Sequence, residues 1–202
     1  MVEFLIMSEA PNLESEIVSL CQKARDLGAS QAVGISATEV AVDERVLLKC
    51  TVPVCPHYDM SLLCPPNVLS ASSFREALGR YSRAILIKVD AASPGPAGPL
   101  DQEYLDCLGA AQKKLYEVVG RVEATCLEKG YCFAAGLVAG SCTLCQECVG
   151  HRSGLPCRHP FQARPSMEAV GIDVVATAQR AGLSLSFAPD AGRSWVGLVL
   201  VD

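Results

Sequence analysis

The sequence predicts an α/β or α+β protein, a mixed β-sheet packed by helices, with a cysteine-rich loop region attached. Stretches of helical period, 13–27 and 101–130, interleave with short apolar strand-like runs at 84–89, 131–138 and 195–201. Between 50 and 66 the cysteines share the chain with Pro53, Pro56, Pro65 and Pro66, which deny it regular hydrogen bonding. Half of the 202 residues are hydrophobic and 19% are charged, so a single domain spanning 1–202 can bury a core without covalent staples.

The elements follow in order. Asn12 is placed to cap a helix from Leu13 to Leu27, stopped by Gly28. Residues 30–37 read as a strand, and Glu44 to Cys50 as a second. Ser73 and Glu76 form a capping-box pattern for a short helix ending at Arg80. Ala84–Val89 is a buried strand, and 91–100 is a proline–glycine connector. Asp101 opens a long helix that ends near Gly130, with a stripe through Tyr104, Leu108, Ala111, Leu115, Val118 and Val122. Tyr131–Val138 is a further strand that runs straight into cysteines. Ser166 caps a helical turn broken by Gly171, and Asp173 caps a helix from Val174 to Ala181, closed by Gly182. Leu183–Phe187 and Trp195–Val201 read as a hairpin, giving four to six strands in all.

A net charge of −5 and a pI near 5.2 argue against a nucleic-acid or anionic-membrane binder. Mean hydropathy is +0.28, yet the longest mainly apolar stretch, Tyr131–Ala139, falls far short of the roughly 20 residues a membrane span requires. The N-terminus has no basic region and turns acidic at once, which is unlike a secretory signal, so a cytoplasmic protein is expected.

Eleven cysteines, an odd number without an export signal, do not suggest a disulfide framework. Seven of them fall in two windows, Cys50, Cys55, Cys64 and Cys142, Cys145, Cys148, Cys157, and all three histidines, His57, His151 and His159, lie beside these windows. Soft ligands are therefore gathered into segments 50–66 and 140–166. Cys21, Cys107, Cys126 and Cys132 sit in apolar surroundings and read as packing residues.

The spacing Cys142-x-x-Cys145-x-x-Cys148 presents three thiolates from one turn, the arrangement that wraps a cuboidal iron–sulfur cluster. A structural zinc site more often takes two ligands from each of two separated knuckles. The fourth ligand is Cys157 or a distant cysteine, and Cys64-Pro65 fits that place at least as well. Arg152, Arg158 and Arg164 flank this block and would offset an anionic cluster. The block Cys50-x4-Cys55-x8-Cys64 suggests a second cluster, completed by Cys157, by His57 or by nothing from the protein. The last case would leave one iron open to a substrate. His57 with Asp59 could form a proton pair, although a solvated loop is the simpler reading, and Glu168 and Asp173 read as helix-terminus residues. No G-x-G-x-x-G, Walker or G-x-S-x-G sequence is present, and Gly136–Gly140 reads as close packing at a strand end.

Cys50, Cys55, Cys64-Pro65-Pro66, then GSCTLCQEC at 140–148 and PCRHPFQARPSMEAVGIDV from 156 resemble a family of predicted metal-binding proteins of unknown function. That family is common in anaerobic bacteria and archaea, and the resemblance runs from about 45 to 200. It implies oxygen-sensitive iron–sulfur binding through the seven motif cysteines and names no reaction. One departure is the gap of four residues between Cys50 and Cys55, where a slightly shorter one is expected.

The expected function is therefore an iron–sulfur protein with two [4Fe–4S] clusters, or one at minimum, carrying electrons to a redox partner protein. The alternatives are an enzyme with an open-site cluster, performing sulfur transfer or desulfuration, and a zinc-stapled structural protein. The high apolar fraction and the edges of a small sheet also suggest a homodimer.

Overall fold

The computed structural model describes residues 12–92, 102–185 and 193–202. The Asn12 side chain accepts from the Glu14 N–H at 3.1 Å and starts α1 (Leu13–Asp26), whose first turn carries Glu14 and Glu16 and whose last carries Lys23 and Arg25, both favourable to the helix dipole. The chain turns at Gly28 into β1 (Gln31–Ser36).

The run expected as a second strand, 44–50, is helical instead: a 3-10 turn, Glu44–Leu47, passes into α2 (Leu48–Thr51). The Asp43 carboxylate decides this by accepting from the Arg45 N–H at 2.8 Å, which caps the turn. The next helix, α3 (Ala71–Leu78), is capped three residues earlier than expected, because Ser70 rather than Ser73 is the capping hydroxyl and accepts from the Ser73 N–H.

Strand β2 (Arg83–Asp90) is the expected buried strand, and α4 (Gln102–Glu128) is the expected long helix. Position 101 and most of the connector, 93–100, lie outside the described residues. Strand β3 (Ala135–Val138) is half the expected length. Its N-terminal part turns to close α4: Tyr131 N–H donates to Cys126 O and Ala134 N–H to Tyr131 O, each at 3.0 Å. Cys132, expected among packing residues, is consequently exposed. After a 3-10 turn at Glu168–Val170, α5 (Val174–Arg180) is capped by Asp173, which accepts from Ala176 N–H at 2.9 Å. The last strand is β4 (Ser194–Val201). The expected hairpin is not formed over its described part: 183–185 is irregular, positions 186–192 lie outside the described residues, and β4 pairs with β2 and β3.

The sheet has the order β1-β2-β4-β3 with antiparallel ladders, and an isolated parallel bridge joins Val138 to Ser166. Helices α1 and α4 cover one face, where Ile85, Ile87, Val199 and Val201 meet Leu20, Leu115 and Val122. On the other face Leu86, Leu198 and Leu200 meet Phe74, Met167 and Ile172. Burial on both faces explains why 84–89 reads as a continuous apolar run rather than an alternating one. The expected class, helices packed on a sheet, is the observed one. No described helix is long and apolar enough to cross a membrane.

Candidate metal centre

The first cysteine segment is a series of turns tied to itself. Cys55 N–H donates to Cys50 O at 3.0 Å, Tyr58 N–H to Cys55 O at 2.9 Å, Asp59 N–H to Pro65 O at 2.8 Å and Asn67 N–H to Cys64 O at 3.0 Å. Cys50 stands on α2, so the cap at Asp43 sets its position. Cys50, Cys55, His57 and Cys64 line one cavity of about 760 Å³ with Glu168 and Trp195. The cavity lies where β3 leaves the sheet, near Ala139 and Gly140, and where β4 enters it. Gly140 is needed there: its φ is +80°, and a Cβ would come within 2.6 Å of the Trp195 ring.

The second segment leaves the same sheet end. Gln112 of α4 holds its start, donating to Ser141 O at 2.9 Å and accepting from the Thr143 hydroxyl at 3.1 Å. Cys142, Cys145, Cys148 and Cys157 are all partly buried.

The two segments meet at Ser61, a buried residue. Its hydroxyl accepts from the Leu63 N–H at 3.2 Å and lies beside the thiols of Cys64 and Cys148, favouring the ionised form of each, as the Leu62 N–H does for Cys148. The Cys64 thiol lies in the field of Cys50, Cys55 and Cys142, and Cys142 lies in that of Cys157 and Cys145. Burial pushes the Cys64 thiol up to about 11, opposed by Ser61. Burial likewise raises Cys142, against the Leu144 N–H and the Tyr116 hydroxyl. Cys148 goes the other way. Burial would raise it, but the N–H groups of Gly150 and Leu62, the Ser61 hydroxyl and the Arg158 charge together bring it below the ordinary thiol range.

The structure thus brings the seven clustered cysteines into one neighbourhood at one sheet end, and all eleven are free thiols. Cys21 and Cys126 are buried in the core between α1, α4 and the sheet, as expected of packing residues. Among the described residues no three His, Cys, Asp or Glu side chains converge as the ligands of a single ion. The donor set nevertheless suits a thiolate-bound metal group. Its members are soft sulfurs, and N–H donors are aimed at Cys142, Cys148 and Cys157, the last receiving His159 N–H at 3.3 Å.

The three arginines divide. Arg158 donates to Glu147 O at 2.8 Å beside Cys148, and Arg152 pairs with Asp59 across the two segments. Asp59 thus serves in an ion pair. Arg164 turns away to Glu123 on α4, so it does not flank the cysteines as expected. Asp173 is the helix cap it was expected to be, whereas Glu168 does more: its carboxylate accepts from Gly140 N–H at 3.0 Å and the Ser166 hydroxyl at 2.9 Å and borders the cavity. Sequence reasoning missed Ser61, Gln112 and Tyr116. For the last two a signal existed, since Gln112 and Tyr116 stand one turn apart on the buried face of a long helix.

A model of the family described as predicted metal-binding protein (DUF2284) matches residues 33–201. No curated protein and no solved structure matches the chain. The match runs from within β1 to the end of β4 and takes in both cysteine segments, and the chain belongs to this family of predicted metal-binding proteins.

Proposed function

We propose that the chain is an iron–sulfur protein that holds one or two [4Fe–4S] clusters through Cys50, Cys55, Cys64, Cys142, Cys145, Cys148 and Cys157 and passes electrons to a partner protein. The observation that supports this is the meeting of two sulfur-rich segments, distant in sequence, at the buried Ser61, whose hydroxyl lies beside both Cys64 and Cys148. A bound cluster supplies reversible one-electron chemistry. The chain's part is to fix the thiols, direct N–H and O–H donors at their sulfurs and limit water, all of which set how easily an electron enters.

A second reading has its own observation. All three thiols of the first segment border a cavity of about 760 Å³, large enough for a small substrate. A cluster held there by three cysteines would keep one iron open, as an enzyme of sulfur transfer or desulfuration requires.

Purification without oxygen, followed by iron, acid-labile sulfide and zinc analysis with the visible spectrum, tests both. About eight irons and eight sulfides per chain correspond to two clusters, and about four to one. Zinc without iron would replace the redox reading with a structural one. A spectral change on adding sulfide or a small thiol favours the open-iron enzyme, and reduction without such a change favours the carrier.

A further inference from the structure

We propose that Tyr116 is a positioning residue of the metal centre, its phenolic hydroxyl donating a hydrogen bond to the Cys142 sulfur once that sulfur is a metal-bound thiolate. This rests on the iron–sulfur reading above.

Tyr116 is 3% exposed, and its buried hydroxyl makes no hydrogen bond of full bonding geometry, although it stands close enough to the Cys142 thiol to favour that thiol's ionised form. Buried hydroxyls are almost always satisfied, so one that is not calls for an acceptor that arrives later. The polar groups bearing on it are the thiols of Cys142 and Cys64 and the Glu168 carboxylate. The Glu168 oxygen Oε2 is already engaged by Gly140 N–H and the Ser166 hydroxyl. A protonated thiol accepts weakly, whereas a thiolate bound to metal carries negative charge and accepts well. Metal binding at Cys142 would therefore turn the weak acceptor beside this hydroxyl into a strong one.

The helix also shows why a tyrosine is used here. Around it on α4, Ala111, Leu115, Val118, Val119 and Val122 pack in the core, where phenylalanine would fill the same space without an orphaned oxygen. One turn earlier, Gln112 fastens the chain at Ser141 and Thr143, immediately around Cys142. Two turns of one helix thus fix both the loop and the donor aimed at its first cysteine.

A hydrogen bond to a cluster sulfur withdraws electron density and favours the reduced state. The test is Tyr116→Phe in the anaerobically purified protein. The expected result is unchanged iron and sulfide content with a reduced-to-oxidised ratio lower by roughly fivefold at a fixed applied potential, the worth of one ordinary hydrogen bond. In the parent protein, exchange into heavy water should shift an iron–sulfur stretching band in the resonance Raman spectrum, and the shift should be smaller in the variant, which keeps only the other exchangeable donors. Full iron content with an unmoved ratio and the same deuterium sensitivity overturns the role of Tyr116 and leaves the iron–sulfur reading standing. If the variant fails to fold, 3-fluorotyrosine placed at position 116, a stronger donor of the same shape, should raise the reduced-to-oxidised ratio instead, and an unmoved ratio overturns the proposal. A parent protein that binds zinc and no iron overturns the underlying reading instead.

Discussion

Arg164 and Glu123 fasten the end of the second cysteine segment to the long helix: Arg164 Nε donates to Glu123 Oε2 at 2.6 Å, and the two side chains are only 14% and 13% exposed. The other oxygen, Glu123 Oε1, accepts from Gly136 N–H at 2.8 Å on the outer edge of β3. One carboxylate therefore serves a helix, an edge strand and the loop that returns from Cys157. Glu123→Ala leaves a guanidinium and an amide without their acceptor in a nearly dry site, and should cost about 3–5 kcal/mol. Glu123→Gln keeps an acceptor for Gly136 and should lose less. Urea unfolding of both variants checks this, and a loss below about 1 kcal/mol for the alanine variant would reduce the pair to an ordinary surface contact.

Acid should loosen the approach to Cys50 through Asp43. Hydrogen bonds from the Arg45 side chain and N–H hold this carboxyl at about 2, below its ordinary 3.8. A lowered folded-state value means that the contribution is fully present above the unfolded value and fades as pH falls toward 2. Wild type should therefore exceed Asp43→Asn in stability near neutrality, and the gap should close between pH 4 and about 2. Chemical unfolding of both proteins across that range is the measurement. A gap independent of pH would assign the effect to the cap's shape rather than its charge.

How far the sequence reached depended on whether the deciding contact was local. Asn12 and Gly28 bracket α1, Asp173 caps α5, and β2 is a plain apolar run, so neighbours in sequence determine all three. The segment 44–50 reads as a strand because Val46, Leu47 and Leu48 suit one, while one carboxylate at Asp43 turns the chain into a helix. The gathering of seven cysteines into two segments is legible from spacing. Tyr116 beside Cys142, Glu168 near Cys50 and Ser61 beside Cys148 are not, because each pair is brought together only by the fold, and no local period records such contacts.

The closeness of α4 to the sheet is set by Gly197 in β4. A Cβ there would fall 2.5 Å from Val119 Cγ2 and 3.2 Å from both Leu115 Cδ1 and the Leu137 carbonyl. The carbonyl belongs to the paired strand and cannot move aside without disturbing the ladder. Gly197→Ala should therefore destabilise by about 1–3 kcal/mol through overpacking. Thermal unfolding checks the size. Because the same helix carries Gln112 and Tyr116, the variant should also lose metal to a chelator faster than the parent does.

The division of cysteines between site and core makes a sharper test than any single ligand. If both segments hold clusters, Cys64→Ser and Cys145→Ser should each lower bound iron by about four atoms per chain. Cys132→Ser should not change it, since that thiol is exposed and donates to Gly130 O at 3.3 Å. Ser61→Ala separates holding from ligating: it removes no sulfur, yet it deprives Cys64 and Cys148 of a shared hydroxyl. Outer partners of metal ligands typically govern affinity by 10–100-fold. Ser61→Ala should accordingly load its full iron without oxygen and release it to a chelator about tenfold or more faster than wild type. Iron release from all four variants, followed by the loss of visible absorption, measures this. Equal release from Ser61→Ala and wild type would mean that the two segments are merely adjacent and do not share a joint through this residue.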